Sequence, residues 1–390
     1  MSVYLAALLP VLIWVYLLLA RGGFWRTSRQ LNRADPNCAP ARSVVAVVPA
    51  RNEAASIGAA VTSLLLQRLA GAIHIVVVDD GSTDGTGDAA LQAAARLDAA
   101  AAARLRVVRG AALPPGWTGK LWAMSQGVDA AAALDPDYLL FTDADIVHEP
   151  DNVAALVANA HDAQRDLVSY MVLLSVQTVA ERCLIPAFVF FFLKLYPPRW
   201  IATPGSATAG AAGGCILIRP QALQRIGGLA ALRAQIIDDC ALARAVKAAG
   251  GRIWLGLTHS ARSLRRYGSF AEIGSMISRT AFNQLRHSYL LLAATLLGLA
   301  VTYLAPPLLL LTGEPVAVGC GAAAWALMSV CYLPMLRFYR LSPAWSVCLP
   351  AIAVFYAGAT VHSALQYRLG RGGHWKGRAQ DARVQAQDAQ

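Results

Sequence analysis

Two regimes of hydrophobic patterning share this chain. Residues Met1–Ala20, Ser288–Gly313, Pro315–Leu336 and, His362 aside, Leu341–Tyr367 carry no charged side chain. Each is long enough to cross a hydrocarbon core of roughly 30 Å as a helix. Between the first and the second, short β-branched runs alternate with helix-forming stretches. Ser43–Val48 ends at Pro49 and reads as a strand buried on both faces, and Ile73–Val78, Arg106–Val108 and Tyr138–Thr142 read as further strands. Helices are expected from Ala54 to about Leu69, over the Ala-rich stretch Asp88–Arg104, and up to about Leu134. Alternation of this kind predicts an α/β domain, a mainly parallel sheet flanked by helices. The expected organisation is an N-terminal transmembrane anchor (1–20), a basic juxtamembrane linker (21–42), one globular domain (43–287), about three C-terminal transmembrane helices (288–367) and a basic polar tail (368–390).

Ligands of such sheets bind beyond the carboxyl ends of the strands, and the polar clusters fall there. Tyr138–Thr142 stops abruptly at Asp143-Ala-Asp145. A buried strand needs no acids, so these sit where it leaves the core. Hard cations such as Mg²⁺ or Mn²⁺ prefer carboxylate oxygens and keep open positions for phosphates. The pair therefore suggests a metal–diphosphate site, although a solvated turn would carry the same acids. Ile73–Val78 runs into Asp79-Asp80-Gly-Ser-Thr-Asp84. Its acids suit ribose hydroxyls or a base N–H, while Asp84 suits a helix cap. Lys120 ends the glycine-flanked loop Gly116–Lys120, where it could meet a diphosphate. Ala209–Arg219 is a glycine-rich turn into a strand, and Gly213 and Gly214 permit close approach of a ligand. Asp238 and Asp239 open a helix through Ala249, where the dipole favours the anion and crowding with burial would raise its proton affinity again. Leu184–Trp200 is aromatic and apolar but short for a span; an interfacial or re-entrant segment is expected, with a core helix as the alternative. Arg262–Arg266 and Arg279 lead into the membrane segments, facing either headgroups or a leaving diphosphate.

Composition fits this division. The chain is 56% hydrophobic with a mean hydropathy of +0.46, and its net charge is +11. The basic residues cluster beside the apolar segments, where anionic headgroups lie, and no nucleic-acid motif accompanies them. Arg21, Arg26, Arg29 and Arg33 follow the first segment, which lacks a basic leader and a clear cleavage site. It therefore reads as an uncleaved anchor with its N-terminus outside and the domain in the cytoplasm. The basic tail does not fit four full spans, and Pro306-Pro307 mark the least regular segment. Seven scattered cysteines without a C-x-x-C pair argue against a zinc site or a disulfide framework. Nothing identifies a protein partner.

Taken together, PARNE (49–53), VVVDDGSTDGT (76–86), the acids at 143 and 145 and the late Asp-Asp at 238–239 resemble, in order, the family 2 glycosyltransferases of GT-A fold. The fuller set, with GWTGKLWAMSQGV, LIPAFVFFFLKLYP, AAGGCILIR and WLGLTHSARSLR, is similar to the hopene-associated branch. The resemblance implies an inverting transfer of a single sugar from a nucleotide-sugar donor to a lipid acceptor, at a cytoplasmic membrane of bacterial type. It implies donor contacts from Pro49, Arg51, Glu53, Asp79, Asp80, Lys120 and Asp143. It implies a divalent cation (Mn²⁺ or Mg²⁺) on Asp145 with Asp143, and Asp239 as the base. Gly213, Gly214, Asp238 and Arg279 fall on the acceptor side. Two departures stand out. The family's Glu-Asp at the base is Asp238-Asp239 here, and the Q-x-x-R-W signature of processive synthases is reduced to Arg279 in Met276–Thr280. The second departure favours single transfer over polymerisation.

Overall fold

The computed structural model describes residues 2–29, 35–370, 374–375 and 378–379, so most of the basic tail lies outside the described residues. The chain divides into two compact units, one built from residues 35–175 and 200–265, the other from 2–29, 176–199 and 266–370. The first is built on an eight-stranded sheet. Its strands are β1 (Val44–Ala50), β2 (Ile73–Asp79), β3 (Leu105–Arg109), β4 (Tyr138–Thr142), β5 (Ile146–His148), β6 (Leu167–Leu173), β7 (Cys215–Ile218) and β8 (Ile253–Ser263). Their spatial order is β3-β2-β1-β4-β7-β6-β8-β5. The block β3-β2-β1-β4 is parallel throughout. All seven residues of β1 and all five of β4 are buried, which is why their sequences are unbroken apolar runs rather than alternating ones.

The other half of the sheet is mixed. β7 runs antiparallel to both β4 and β6, and β5 antiparallel to β8, while β6 and β8 are parallel. The expectation of a mainly parallel sheet thus holds for the block that carries the first acids. Between β6 and β7 the chain passes through the other unit (176–199), so no short crossover helix dictates a parallel return. The Ala-rich stretch is two helices, Thr86–Ala95 and Ala99–Ala103, because the Asp98 carboxylate caps the second by accepting from Ala101 N–H. Helix Gly119–Ala132 lies against β1 at Gly127, where a Cβ would collide with Val47.

The helical unit contains three helices long and apolar enough to cross a membrane: Tyr289–Leu309, Pro315–Phe338 and Pro343–Arg368. The N-terminal helix, Ser2–Leu19, is apolar too but shorter. Many large side chains on the long helices stay exposed, among them Leu290 at 79% and Leu297 at 67%, surfaces of the kind a bilayer would cover. The aromatic run expected at an interface forms helix Val179–Leu195 in this unit. It starts with a capping box, in which Thr178 accepts from Glu181 N–H and the Glu181 carboxylate accepts from Thr178 N–H. Phe190 packs edge-on to Tyr332, and Phe191 to Tyr356, so the run is buried as a core helix, the alternative reading of this stretch.

Pro306-Pro307 do disturb their span. The helix passes through a π-turn, Ala300–Leu304, immediately before them. Neither proline has an N–H, so the Thr302 carbonyl has no donor at i+4 or i+5. The Trp14 indole supplies one, donating to that carbonyl at 2.8 Å. Trp14→Phe keeps the ring and deletes the donor. We expect it to lower the thermal stability of the detergent-solubilised chain by about 1–3 kcal/mol, the cost of an unmet buried carbonyl. An unchanged melting temperature would show that the carbonyl needs no partner.

Candidate active site

The parallel block sets three polar turns along one edge. β1 and β2 end in register, Ala50 opposite Asp79, and β4 pairs with β1 up to Phe141–Val47. The segments leaving this edge carry Arg51–Glu53, Asp79–Asp80 and Asp143–Asp145. Antiparallel β7 starts at the same edge, with Cys215 opposite Thr142, which brings Gly213 and Gly214 beside the acids.

The first turns knit together through side chain and backbone. Arg51 donates to the carbonyls of Asp80 and Gly81. Its guanidinium thus shapes the loop around Asp80, whose residue is buried. Asp79 accepts from Ser82 N–H. Asp84 accepts from Ala54 N–H and from Thr86 N–H, so it ties the starts of two helices, as its capping chemistry suggested. Pro49 lies inside β1 and sets the strand end without offering a donor.

A second cluster gathers around Lys120. Its ammonium lies 2.8 Å from Asp143 Oδ1 and 3.6 Å from Asp238 Oδ2. Burial works against that charge, but Asp143 and Asp238 outweigh it and hold the Lys120 proton well above the usual lysine range. Asp239 stands in the first turn of helix Asp238–Ala248. Its Oδ2 accepts from Gly213 N–H at 2.9 Å, and its Oδ1 from Cys240 N–H at 2.7 Å. Gly213 leaves room for this approach: a Cβ would sit 3.3 Å from Lys120 Nζ and 3.4 Å from Asp239 Oδ2, so the ammonium would have to give way slightly. Leu121, Met124, Phe141 and Leu242 line the apolar wall behind the acid pair. That burial raises the Asp239 carboxyl and Asp238 raises it further, while Lys120 and the two backbone donors pull it back, leaving it at about 6. A group with that pKa can take and release a proton near neutrality.

Two contributors come from the motif WLGLTHSARSLR (254–265), whose sequence does not by itself point to contacts with the acids. Ser263 Oγ donates to Asp145 Oδ2 at 3.0 Å, and Arg265 Nε lies 3.9 Å from the same oxygen. Arg265 also reaches Glu53 Oε1 at 3.6 Å. Both arrive at the end of β8, and the apolar–polar alternation after Ile253 is the signal that could have placed a strand end there. Burial raises the Asp145 carboxyl, and so does Asp143, against Ser263 and Arg265. The space beside Gly214 is filled by Val172 and Ile146, so its smallness serves packing. Arg279 belongs to the helical unit, at an exposed position of helix Phe270–Gln284.

The residues suit a hard divalent cation. Asp143 and Asp145 offer the carboxylate oxygens that such an ion prefers. Among the described residues no group of three or more acids, histidines or cysteines forms a full ligand set, so further oxygens must come from a ligand or water. Thr118 Oγ1, two residues before Lys120, is buried without a hydrogen-bond partner among the described residues.

This is a GT-A-type architecture: a mixed sheet flanked by helices, with acids gathered at one edge. Residues 45–227 match the model of glycosyl transferase family 2. Among solved structures, the chain is similar to a mannosyltransferase from Pyrobaculum calidifontis in complex with GDP-Man and Mn²⁺. That match has 19% identity and a TM-score of 0.50, covering 92% of this chain and 99% of the other. S. aureus TarS in complex with UDP-GlcNAc matches at 15% identity and a TM-score of 0.40, over 84% and 92%. Glucosyl-3-phosphoglycerate synthase from Mycobacterium tuberculosis, with phosphoglyceric acid, matches at 18% and 0.39, over 63% and 79%. No curated protein matches the chain.

Behind the Asp143 turn, a buried histidine fixes the geometry. Thr142 Oγ1 donates to the Gly214 carbonyl at 2.9 Å, which uses its one proton. It must therefore accept from His148 Nε2–H, 3.0 Å away, leaving Nδ1 to accept from Asn152 Nδ2 at 2.9 Å. Burial lowers the His148 pKa from 6.5 to about 4, so the ring is neutral. Unfolding then takes up a proton between those values, and stability falls as pH drops from about 6.5 toward 4. His148→Leu should cost about 1–3 kcal/mol in thermal unfolding, and His148→Gln, which keeps an amide donor, should recover most of it. Both variants should lose part of the acid-side slope. An unaltered slope would remove His148 as its cause.

Proposed function

We propose that this protein is a membrane-bound, divalent-metal-dependent, inverting glycosyltransferase that moves one sugar from a nucleotide-sugar donor to a hydroxyl of a lipid acceptor. The observation that carries the reading is Asp239, a carboxylate held near pKa 6 by burial and an adjacent acid, in one cluster with Lys120 and the turn bearing Asp143. Asp239 accepts the proton of the acceptor hydroxyl as its oxygen bonds to the anomeric carbon. The bond from that carbon to the diphosphate oxygen breaks, and attack opposite the leaving group inverts the centre. A divalent cation held by Asp143 and Asp145 supplies charge neutralisation to the departing diphosphate. Lys120 meets the same diphosphate. Glu53, Asp79 and Asp80 hold the nucleoside, with Arg51 setting their loop. Asp238 and Gly213 border the acceptor.

The Pyrobaculum mannosyltransferase shares this fold and was solved with GDP-Man and Mn²⁺, which supports a nucleotide sugar and a divalent ion. Three long apolar helices support an acceptor drawn from the bilayer. The resemblance to the hopene-associated branch supports a hopanoid lipid, and the positive-inside rule supports a cytoplasmic domain. Comparison of lipid extracts with and without the active protein tests the acceptor, because a polyprenyl phosphate or glycerolipid gaining the hexose-sized increment would replace the hopanoid.

Asp239→Asn should lower kcat by about 10²–10⁴-fold while donor binding stays within a few-fold. The wild-type kcat/KM should rise with pH up to about 6 and then level, since the base must be ionised, and the variant should lack that limb. Loss of donor binding instead would move Asp239 out of the base role. Protease added to sealed cells should spare the sheet unit, and protease added to inverted vesicles should cut it. Cleavage in sealed cells would invert the topology.

A further inference from the structure

Both acids assigned to the metal already hold a cation belonging to the chain. Lys120 sits 2.8 Å from Asp143, and Arg265 sits 3.9 Å from Asp145. Neither cation is committed to one acid. Lys120 also reaches Asp238, and Arg265 also reaches Glu53, each at 3.6 Å. The Arg265 side chain is 41% exposed, so it can swing without breaking core packing. A bare divalent cation approaching Asp143 and Asp145 would meet two positive charges on the same oxygens. It would also find too few protein ligands, since the described residues provide no cluster of three. A nucleoside diphosphate removes both obstacles, because its oxygens complete the coordination and accept the displaced N–H groups.

We propose that Lys120 and Arg265 are exchangeable counter-ions: they neutralise the two acids in the free protein and transfer to the diphosphate when metal and nucleotide bind together. This rests on the metal–diphosphate reading of Asp143 and Asp145 and adds a mechanism of obligatory joint binding. Positive charge then never leaves the site. It moves from carboxylate to phosphate as the donor enters, and returns to the acids as the nucleoside diphosphate and metal depart. The unpartnered Thr118 hydroxyl, two residues before Lys120, offers a further hydrogen bond to an arriving phosphate oxygen. Lys120 and Arg265 thus act as diphosphate-binding residues and as guards against metal binding alone.

The test measures Mn²⁺ binding to the full-length protein in detergent, by the paramagnetic resonance of free Mn²⁺. Mn²⁺ is titrated alone, then with GDP or UDP, with protein-free nucleotide as the blank. Wild-type protein should bind Mn²⁺ at least about tenfold more tightly with nucleoside diphosphate, an ordinary size for coupling between ligands. Arg265→Gln should tighten binding of Mn²⁺ alone and weaken binding of the diphosphate, so the coupling shrinks. Lys120→Met should do the same, and Arg265→Gln, at an exposed position, decides the matter if Lys120→Met fails to fold. Equal Mn²⁺ affinity with and without nucleotide overturns the exchange. So does diphosphate binding that survives EDTA, since Lys120 and Arg265 would then neutralise it unaided. Failure to bind any nucleoside diphosphate, with or without metal, overturns the metal–diphosphate reading, and the exchange with it.

Discussion

Like charges cannot be gathered in a partly buried site without positive charge among them, and the sheet unit is arranged around that constraint. Asp143, Asp238 and Asp239 converge on Lys120, and Glu53 and Asp145 on Arg265. Remove the cations and the acids would have to protonate or move apart. Lys120 and Arg265 are each shared between acids rather than fixed on one, which suits groups that must later serve a metal, a diphosphate and a proton. Asp239 is a useful exception. Burial and Asp238 outweigh what Lys120 and two backbone donors give it, so its proton affinity stays near neutrality.

Backbone placement does the rest. Gly213 is the point where a missing side chain lets the Lys120 ammonium and the Asp239 carboxylate approach the same Cα. That position is held from behind, since the next carbonyl, Gly214, accepts from Thr142, and Thr142 is fixed by neutral His148. One short network therefore joins the strand end before Asp143 to the turn that holds Asp239. Register errors of a fraction of an ångström at either turn would be shared by both.

Much of this is legible in residue order, for a physical reason. A strand buried on both faces must be apolar throughout, so Ser43–Val48, Ile73–Val78 and Tyr138–Thr142 announce themselves, and acids directly after them can only lie at the strand ends. The helix opened by Asp238-Asp239 is legible because acids favour a helix N-terminus. Other features are not. β6 and β8 carry polar residues among apolar ones and lack a following acidic turn, so the motif that holds Ser263 and Arg265 does not show that they reach Asp145 and Glu53. The direction of β7 depends on a long excursion whose end point no local pattern encodes. The helix Val179–Leu195 reads as interfacial from its aromatic run, although Thr178 and Glu181 spell a capping box and its apolar positions are buried by partners more than a hundred residues away. Gly214 departs from expectation for the converse reason: a glycine beside a ligand and a glycine beside Val172 look alike in sequence.

The two units share one structural device. In each, a side chain distant in sequence donates to a backbone carbonyl where regular structure is interrupted. Trp14 serves Thr302 where two prolines interrupt a span, and Thr142 serves Gly214 where a sheet edge gives way to the turn holding Asp239. An unmet buried carbonyl is costly, and Trp14 offsets the interruption that Pro306-Pro307 make. In the sheet unit the hydroxyl's single proton is spent on that carbonyl, which puts a proton on His148 Nε2, while the Asn152 amide at Nδ1 and burial keep the ring neutral. The chain thus tolerates irregular backbone in both units by assigning each interruption its own side-chain donor. In the sheet unit, the interruption so stabilised is the one that presents Gly213 to Asp239.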